Sequence, residues 1–579
     1  MRKTKIVCTM GPATENEKVL NQLMLSGMDA ARFNFSHGTY EWHKSMFDKV
    51  VRCREKLALN IPTILDTKGP EIRIGSLAGG SVTLKKGQSV VFTTQNVEGN
   101  DSLLPISYSG LPKDVGRGDR ILIDDGLIET RVEEVRDTEI VCRVHNGGKV
   151  SDHKGVNVPG VALSMPYISE KDRKDIEFAA DTGFDFIAAS FVRSAEDVMD
   201  IRRVLAEKKC NTINIIAKIE NRQGVENIDK IIAVSDGIMV ARGDMGVEIP
   251  FEEVPILQKK LITKGYNAGK QVITATQMLE SMIHNPRPTR AEATDVANAI
   301  YDGTSAIMLS GETAMGDYPV EAVETMARIA RCTEKDIDYR KRFRSREVEA
   351  SPDITNAISH ATCTTAHDLG ASAVITVTMA GKTARMISKY RPACRIIGCT
   401  TQAHVCRQLN LSWGVTPLLI EEASSTDELF NLAVDGAERS GLVKPGELVV
   451  ITAGVPLRVS GTTNLMKVHV AGHVLLRGTG IGSKRIGGNL CVVQNQKSLE
   501  SFCDGDIIVA RSTDNTMLPY LKKARAIICE SPTVDCHAST VGLSLDIPVI
   551  INAENATKIL KSGAYVLVDA ESGTVSYTA

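Results

Sequence analysis

The chain has 579 residues, too many for one hydrophobic core, and this length predicts three or four domains. Lys plus Arg total 68 against 70 for Asp plus Glu, and aromatic residues make up only 4%. Without a basic excess to hold a phosphate backbone, or rings on which bases could stack, no nucleic-acid partner and no anionic membrane partner are expected. The 13 cysteines include no C-x-x-C pair and do not have the spacing of a zinc site. The opening Met1-Arg2-Lys3-Thr4-Lys5 precedes only a short apolar run, so no signal peptide is predicted. No stretch approaches the ~20 apolar residues of a membrane helix. A cytoplasmic location is expected.

The first 66 residues alternate between strand and helix. Strands are predicted at Thr4–Thr9, Met28–Asn34 and Pro62–Asp66, with helices over Glu15–Leu25 and His43–Leu59. Residues 71–166 then read as all-β, with turn signals at Lys86-Gly87, Arg117-Gly118-Asp119 and Asn146-Gly147-Gly148. From Ser169 the βα alternation resumes, with strands at Phe184–Ala189, Asn214–Ile219, Gly237–Ala241, Gln271–Ala275 and Ser305–Leu309. Three strands before the insertion and five after it make eight. Eight βα units in about 235 residues fit a (β/α)8 barrel, with an open doubly wound sheet as the alternative. Further strands near Ala373–Val377, Arg395–Gly398 and Leu448–Thr452 mark another α/β region. The Gly-rich stretch from Arg477 to Gly482, with Gly487 and Gly488 beyond it, reads as a linker to a last small domain. The expected domains are a catalytic barrel (1–69 and 167–339), an inserted β-barrel lid (70–166), an α/β regulatory domain (340–473), and a linker with an extra α/β domain (474–579).

In a barrel of this kind the chemistry sits where strands end and βα loops begin. Those positions carry Arg32, Asn34, Ser36 and His37 after strand 2, and Asp66, Thr67, Lys68 and Arg73 after strand 3. Lys218 and Glu220 lie on strand 5, Arg242-Gly243-Asp244 after strand 6, Thr276 after strand 7 and Ser310-Gly311-Glu312 after strand 8. Lys218 and Glu220 are two apart, so they face the same way from a strand. Glu220 and Asp244, from adjacent strand ends, make an oxygen-rich site suited to Mg²⁺ or Mn²⁺. Lys218 beside them can neutralise a phosphate or an enolate. A buried Lys–Glu–Asp network with a purely structural role is the competing reading, and it is costly without a charged ligand. Asn34, Ser36, Asp66 and Thr67 offer neutral oxygens plus one carboxylate, which suits a monovalent cation better than a dication.

Seven segments together resemble the pyruvate kinase family. They are Ala31-Arg32-Phe33-Asn34-Phe35-Ser36-His37-Gly38, Leu65-Asp66-Thr67-Lys68-Gly69-Pro70-Glu71-Ile72-Arg73, Lys154-Gly155-Val156-Asn157-Val158-Pro159-Gly160, Ala217-Lys218-Ile219-Glu220-Asn221, Ala241-Arg242-Gly243-Asp244-Met245-Gly246, Thr274-Ala275-Thr276-Gln277-Met278-Leu279-Glu280 and Leu309-Ser310-Gly311-Glu312-Thr313. The resemblance covers residues 1 to about 473 and implies a cytoplasmic, glycolytic, allosterically regulated homotetramer. Such an enzyme transfers the phosphoryl group of phosphoenolpyruvate to ADP. By motif match, Lys218 stabilises the transferring group, Glu220 and Asp244 hold the divalent metal, and Arg32, Gly243, Asp244 and Thr276 contact substrate. Asn34, Ser36, Asp66 and Thr67 match potassium ligands. Asn34, His37, Arg73 and the lid's Lys154 match nucleotide contacts. Thr276 is the hydroxyl nearest the protonation step, acting directly or through water. Glu71 stands where a Lys in this family would replace the potassium ion, so K⁺ dependence is implied.

In the regulatory region Thr378, Gly381, Lys382 and Thr383 open a helix as a phosphate cradle for a phosphorylated effector. The loop from Gly454 to Gly461 lacks Trp, which favours a monophosphate such as AMP or ribose 5-phosphate over fructose 1,6-bisphosphate. Residues from about 484 onward resemble the swivelling phosphohistidine domain of phosphoenolpyruvate-utilising enzymes, through Asp535-Cys536-His537-Ala538-Ser539. Carriers have Thr two residues before the histidine. Asp535 there would repel a phosphoryl group, so a structural or interface role is favoured. The rival readings are a phosphoenolpyruvate/pyruvate barrel enzyme such as a C–C lyase, a phosphocarrier acting through His537, and a catalytically dead binding protein.

Overall fold

The computed structural model describes residues 2–345, 353–423, 425–455, 463–472 and 474–577. It divides into two compact units: Met1–Ala350 with Met379–Ala393 and Gln402–Leu419, and Ser351–Thr378 with Cys394–Thr401 and Ile420–Ala579. Residues 379–393 and 402–419, which the sequence reading placed in the regulatory domain, thus pack with the barrel. Residues 456–461 of the expected effector loop lie outside the described residues. Among the described residues no helix is long and apolar enough to cross a membrane.

The first unit is built on a closed eight-stranded parallel barrel. Its strands are β1 (Lys5–Thr9), β2 (Ala30–Asn34), β3 (Thr63–Asp66), β4 (Phe186–Ala189), β5 (Asn214–Ile219), β6 (Gly237–Ala241), β7 (Gln271–Ala275) and β8 (Ala306–Leu309). Each pairs with its sequence neighbours, and β1 closes onto β8 with Lys5 opposite Ala306. The doubly wound alternative is thereby excluded. The strands are apolar throughout because both faces are covered, by helices outside and by side chains within. Val7, Ala30, Ile64, Phe186, Ile216, Met239, Ile273 and Met308 belong to the inner cluster, which Leu411 of the 402–419 segment joins.

Local sequence sets the helix starts. Ser169 with Asp172, Ser194 with Asp197 and Thr289 with Glu292 form capping boxes at three barrel helices. The second helix begins at Tyr40, earlier than the expected His43, because the Thr39 side chain accepts a hydrogen bond from Trp42 N–H. Its first turn carries Tyr40 and Trp42, both packed against the barrel core, beside the exposed Glu41.

The barrel floor is held by charge. Asp185, just before β4, is buried and accepts the Thr63 N–H at 3.0 Å. Arg407 Nε lies 2.8 Å from the same carboxylate and Arg54 3.6 Å from it. Gln408 donates to the Asp185 and Thr212 carbonyls at 3.0 and 2.6 Å. This network clamps the 402–419 segment to the strand starts.

Residues 70–166 leave the barrel after β3. Their ladders run as a seven-stranded sheet and a separate pair, Gly148–Ser151 with Ser81–Leu84, around one shared core that includes Leu84, Phe92, Ile121, Ile140 and Val150. A short helix, Leu111–Asp114, interrupts the all-β pattern.

In the second unit Arg395–Thr400, Ala373–Val377 and Leu448–Ala453 are parallel neighbours, and Leu465–Val470 adds an antiparallel edge. The Gly-rich stretch expected to be a linker is instead part of an eight-stranded mixed sheet. Val474–Arg477 pairs with Thr574–Tyr577, and Thr479–Ile481 pairs with Val549–Ile551. The glycines reflect crowding: a Cβ at Gly480 would meet the Ala570 carbonyl oxygen at 1.8 Å. Composition alone cannot distinguish a strand that needs close backbone approach from a flexible tether.

Removing one partner of a buried ion pair leaves the other charge uncompensated. Asp185→Asn should therefore destabilise the barrel unit by about 3 kcal/mol, read as a lower urea midpoint. An unchanged midpoint would show that the floor does not depend on this charge.

Candidate active site

Side chains from four strand ends meet at the upper mouth of the barrel. Asp66 ends β3 and is 1% exposed. Its Oδ2 accepts Arg32 Nε at 2.6 Å, and its Oδ1 accepts Lys218 Nζ at 3.0 Å and Ser190 Oγ at 3.1 Å. Burial pushes the carboxyl up, but Arg32 and Lys218 outweigh it and hold it below the ordinary carboxylate value. Arg32, on β2, also donates to Thr9 Oγ1 at 3.0 Å. Lys218 donates to Ser190 Oγ at 2.7 Å. Its burial opposes the charge, yet the neighbouring Asp66 and Glu220 raise its pKa above the ordinary lysine value, so it remains an ammonium.

Glu220 follows β5, shares the face of Lys218 and is fully buried. Lys218 Nζ lies 3.1 Å from its Oε1, but no hydrogen bond reaches that oxygen. The Phe191 N–H donates to Oε2. Burial pushes this carboxyl up to about 7 despite Lys218, and Asp244 adds to the shift. A buried carboxylate with one oxygen unserved, next to a second carboxylate, is a site short of positive charge. The donor set fits a hard divalent cation.

Asp244 lies in the first turn of the short helix Arg242–Glu248, and the preceding Gly243 N–H donates to Thr276 Oγ1 at 2.8 Å. Thr276 in turn donates to the Ala275 carbonyl at 2.6 Å. Thr276 and Gln277 have φ of 68° and 54°, an unfavourable region for a β-branched residue. Arg242 fixes that turn through the Thr276 carbonyl at 2.6 Å while pairing with Asp295 at 2.7 Å. Glu312 is buried and accepts the Leu279 and Ser310 N–H groups, a structural use of the strand-8 motif.

The remaining residues surround this group. Asn34 sits opposite Asp66 in register, and its Oδ1 accepts the Ser36 N–H at 3.1 Å. Thr67 N–H bonds the Ala188 carbonyl at 3.0 Å. The Asn34, Ser36, Asp66 and Thr67 oxygens are mostly neutral donors beside a carboxylate already shared by two cations, which fits a weakly charged monovalent ion. His37 is exposed. Arg73 and Lys154 line one cavity of about 290 Å³ with Asp124, Asp125 and Asp244, under the lid. Both cations are paired: Arg73 with Glu71 at 2.7 Å and Lys154 with Asp124 at 2.8 Å. Asp125 is pushed up by burial and by Asp244.

The expected effector residues are distributed differently. Thr378 follows a strand of the second unit, whereas Gly381, Lys382 and Thr383 open the helix Lys382–Lys389 of the first unit. Gly381 caps that helix at φ 78°, a left-handed conformation that favours glycine. In the second unit His537 Nδ1 is 2.9 Å from Thr513 Oγ1 and its Nε2 is 3.2 Å from Asn515 Oδ1, with Asp535 exposed.

Two contributors at this mouth are absent from the sequence reading. Ser190 follows β4 and touches both Lys218 and Asp66, and the strand-end rule applied to strand 4 would have found it. Phe191 contributes only its backbone N–H, at φ 54°, so its side-chain type carries no signal.

Family models match most of the chain: the pyruvate kinase barrel domain over residues 1–323, the pyruvate kinase alpha/beta domain over 356–469 and the mobile domain of PEP-utilising enzymes over 502–573. A pyruvate kinase from Geobacillus stearothermophilus is 50% identical over 577 residues, covering 99% of this chain and 98% of that protein. One from Staphylococcus aureus is 46% identical over 578 residues, covering 99% of each. A crystal structure of a pyruvate kinase from Cryptosporidium parvum has a TM-score of 0.77 and 42% identity, over 81% of this chain and 96% of that one.

Behind the β2 loop, His43 stacks on Phe35 at 3.9 Å and meets the His37 carbonyl through Nε2 at 2.8 Å, while its Nδ1 is buried without a partner. Burial lowers its pKa below the usual 6.5. The group binds its proton more readily unfolded than folded, so the stability it supports is complete above 6.5 and falls as pH drops through the depressed native value. Urea titrations should show this slope, and His43→Gln should flatten it. A variant with the parent's slope would exclude His43 as its source.

Proposed function

The chain belongs to the pyruvate kinase family, and from that premise we propose that the mouth of its barrel transfers the phosphoryl group of phosphoenolpyruvate to ADP. The observation that carries this reading is the buried Lys218–Glu220 pair, with Asp66 fixing the ammonium and Asp244 near enough to push the Glu220 carboxyl further up.

Glu220 and Asp244 would hold a divalent cation, and Asn34, Ser36, Asp66 and Thr67 a potassium ion. When bound, these ions supply fixed positive charge that neutralises the substrate's phosphate and carboxylate. The chain's own groups account for the rest. Lys218 is held charged and immobile by Asp66 and Ser190, so it can stabilise negative charge on the moving phosphoryl group and on the enolate left behind, with no reorganisation at the moment of transfer. Arg32 is oriented by Asp66 and Thr9 to hold the phosphate. The Arg242 clamp holds Thr276 at the mouth, with its hydroxyl next to the Gly243 N–H, where it can take part in proton delivery to enolpyruvate carbon. Arg73 and Lys154 reach the lid cavity, where nucleotide phosphates would compete with Glu71 and Asp124 for them. A homotetramer in the cytoplasm, regulated by a phosphorylated effector bound at the start of the helix Lys382–Lys389 through Gly381, Lys382 and Thr383, completes the reading. A pyruvate-release assay with phosphoenolpyruvate, ADP, Mg²⁺ and K⁺ tests it directly.

Lys218→Met removes the ammonium but keeps the length of the side chain. Turnover should fall by about 10²-fold or more, because one preorganised charge at such a site contributes that much, and the urea midpoint should fall as well, because the buried Asp66 and Glu220 lose their shared ammonium. Near-parent turnover in the folded variant would refute the role.

Replacing K⁺ with a bulky organic cation should abolish activity, and Glu71→Lys should restore much of it by placing an ammonium near the ion's position. Equal activity of the parent in both salts would exclude the monovalent site.

A further inference from the structure

The loop that follows β4 touches both the lid and the reacting groups. It runs from Ser190 to Ser194, between β4 and the helix Ala195–Glu207. At its start the Ser190 hydroxyl bonds Asp66 Oδ1 and Lys218 Nζ, and the Phe191 N–H, held at φ 54°, donates to Glu220. Toward its end Arg193 reaches into the lid. Its Nη1 and Nη2 donate to the Leu163 and Met165 carbonyls, both at 3.1 Å. These two residues lie on the segment that brings the chain back from the lid, and both pack against the lid core.

The loop is fixed on the barrel side. The Arg193 N–H donates to Asp197 Oδ2 at 2.8 Å, and its Nε lies 3.5 Å from the same oxygen. The Arg193 carbonyl accepts Asn227 Nδ2 at 3.0 Å. Both roots of the lid meet this loop. On the return side the buried Tyr167 donates its hydroxyl to the Ser190 carbonyl at 3.0 Å, and the Arg193 guanidinium lies over its ring, 5.9 Å from the centroid. On the outgoing side Gly69 comes so close that a Cβ there would stand 2.9 Å from Ser190 Cβ. A guanidinium suits such a brace, because its planar fork serves two carbonyls at once. Only Val192 separates Arg193 from Phe191, and Val192 is packed into the barrel core. A shift of the lid root at Arg193 therefore reaches the Phe191 N–H with little slack.

We propose, on the premise that this mouth transfers phosphoryl groups, that Arg193 is a positioning residue. By tying the return segment of the lid to the β4 loop, it couples the seat of the lid to the Ser190 hydroxyl that holds Lys218 and to the Phe191 N–H that holds Glu220. It acts through these two groups and not by contact with the nucleotide.

The test uses the full chain. Mn²⁺, standing in for the divalent cation, is titrated into nucleotide-free protein and followed by electron paramagnetic resonance, and turnover is read as pyruvate release. Arg193→Met keeps the stem and removes the fork. The Kd for Mn²⁺ should rise about tenfold and kcat should fall about as much, the scale on which the outer partners of a metal ligand act, while KM for ADP stays at the parent's value. Arg193→Lys keeps the charge without the fork and should recover little of either. Tyr167→Phe leaves the ring in place and removes only the bond to the Ser190 carbonyl. It should move both quantities in the same direction, and it carries the test if Arg193→Met does not fold. A rise in KM for ADP alone would make Arg193 a nucleotide contact and overturn the proposal. A lower urea midpoint with the parent's Mn²⁺ affinity and kcat would make it a structural brace and overturn it too, as would full recovery by lysine. A parent chain that releases no pyruvate would instead refute the phosphoryl-transfer reading, while the Mn²⁺ titration would still decide the link from Arg193 to Glu220.

Discussion

The site turns on one buried carboxylate. Asp66 holds Arg32 of β2 with one oxygen and Lys218 of β5 with the other, so two cations that would repel each other are fixed at one mouth from strands that are not neighbours. Burying such charges is expensive unless they are paired, and Asp66 pairs both. The closed barrel makes the arrangement possible. Strand pairing on both sides leaves β3 and β5 no freedom to move apart, and the floor network around Asp185 holds the other end of the same strands.

Glu220 states the complementary need. It is buried, one oxygen is unserved, and Asp244 stands nearby, so the mouth carries an excess of negative charge on one side and of positive charge on the other. Phosphoenolpyruvate with its cations would satisfy both sides at once, which is the electrostatic basis of the proposed reading. The lid follows the same logic at lower burial. Arg73 and Lys154 line its cavity, each paired with an acidic neighbour, Glu71 and Asp124.

The last sheet shows a different economy of close packing. Its glycines admit neighbouring backbones, and its helix start concentrates partial positive charge where Cys536 and His537 lie. His537 is engaged on both ring nitrogens by Thr513 and Asn515.

Much of this protein was determined by sequence alone. Continuous apolar runs bounded by caps and glycines specify eight parallel strands, because strands covered on both faces leave that pattern. Polar residues at their ends specify the mouth, and the Lys218–Glu220 spacing specifies a shared face. Other features exist only in the folded chain. Ser190 and the Phe191 N–H matter because a closed barrel brings β4 against β3 and β5, and a backbone donor has no residue-type signature. The 402–419 segment joins the barrel unit through Asp185, Gln271 and the inner cluster, contacts of high sequence separation that no local pattern encodes. The Gly-rich stretch is strand and not tether because its hydrogen-bond partners lie about 70 to 100 residues away, and only tertiary pairing separates a glycine that frees the chain from one that lets two chains touch.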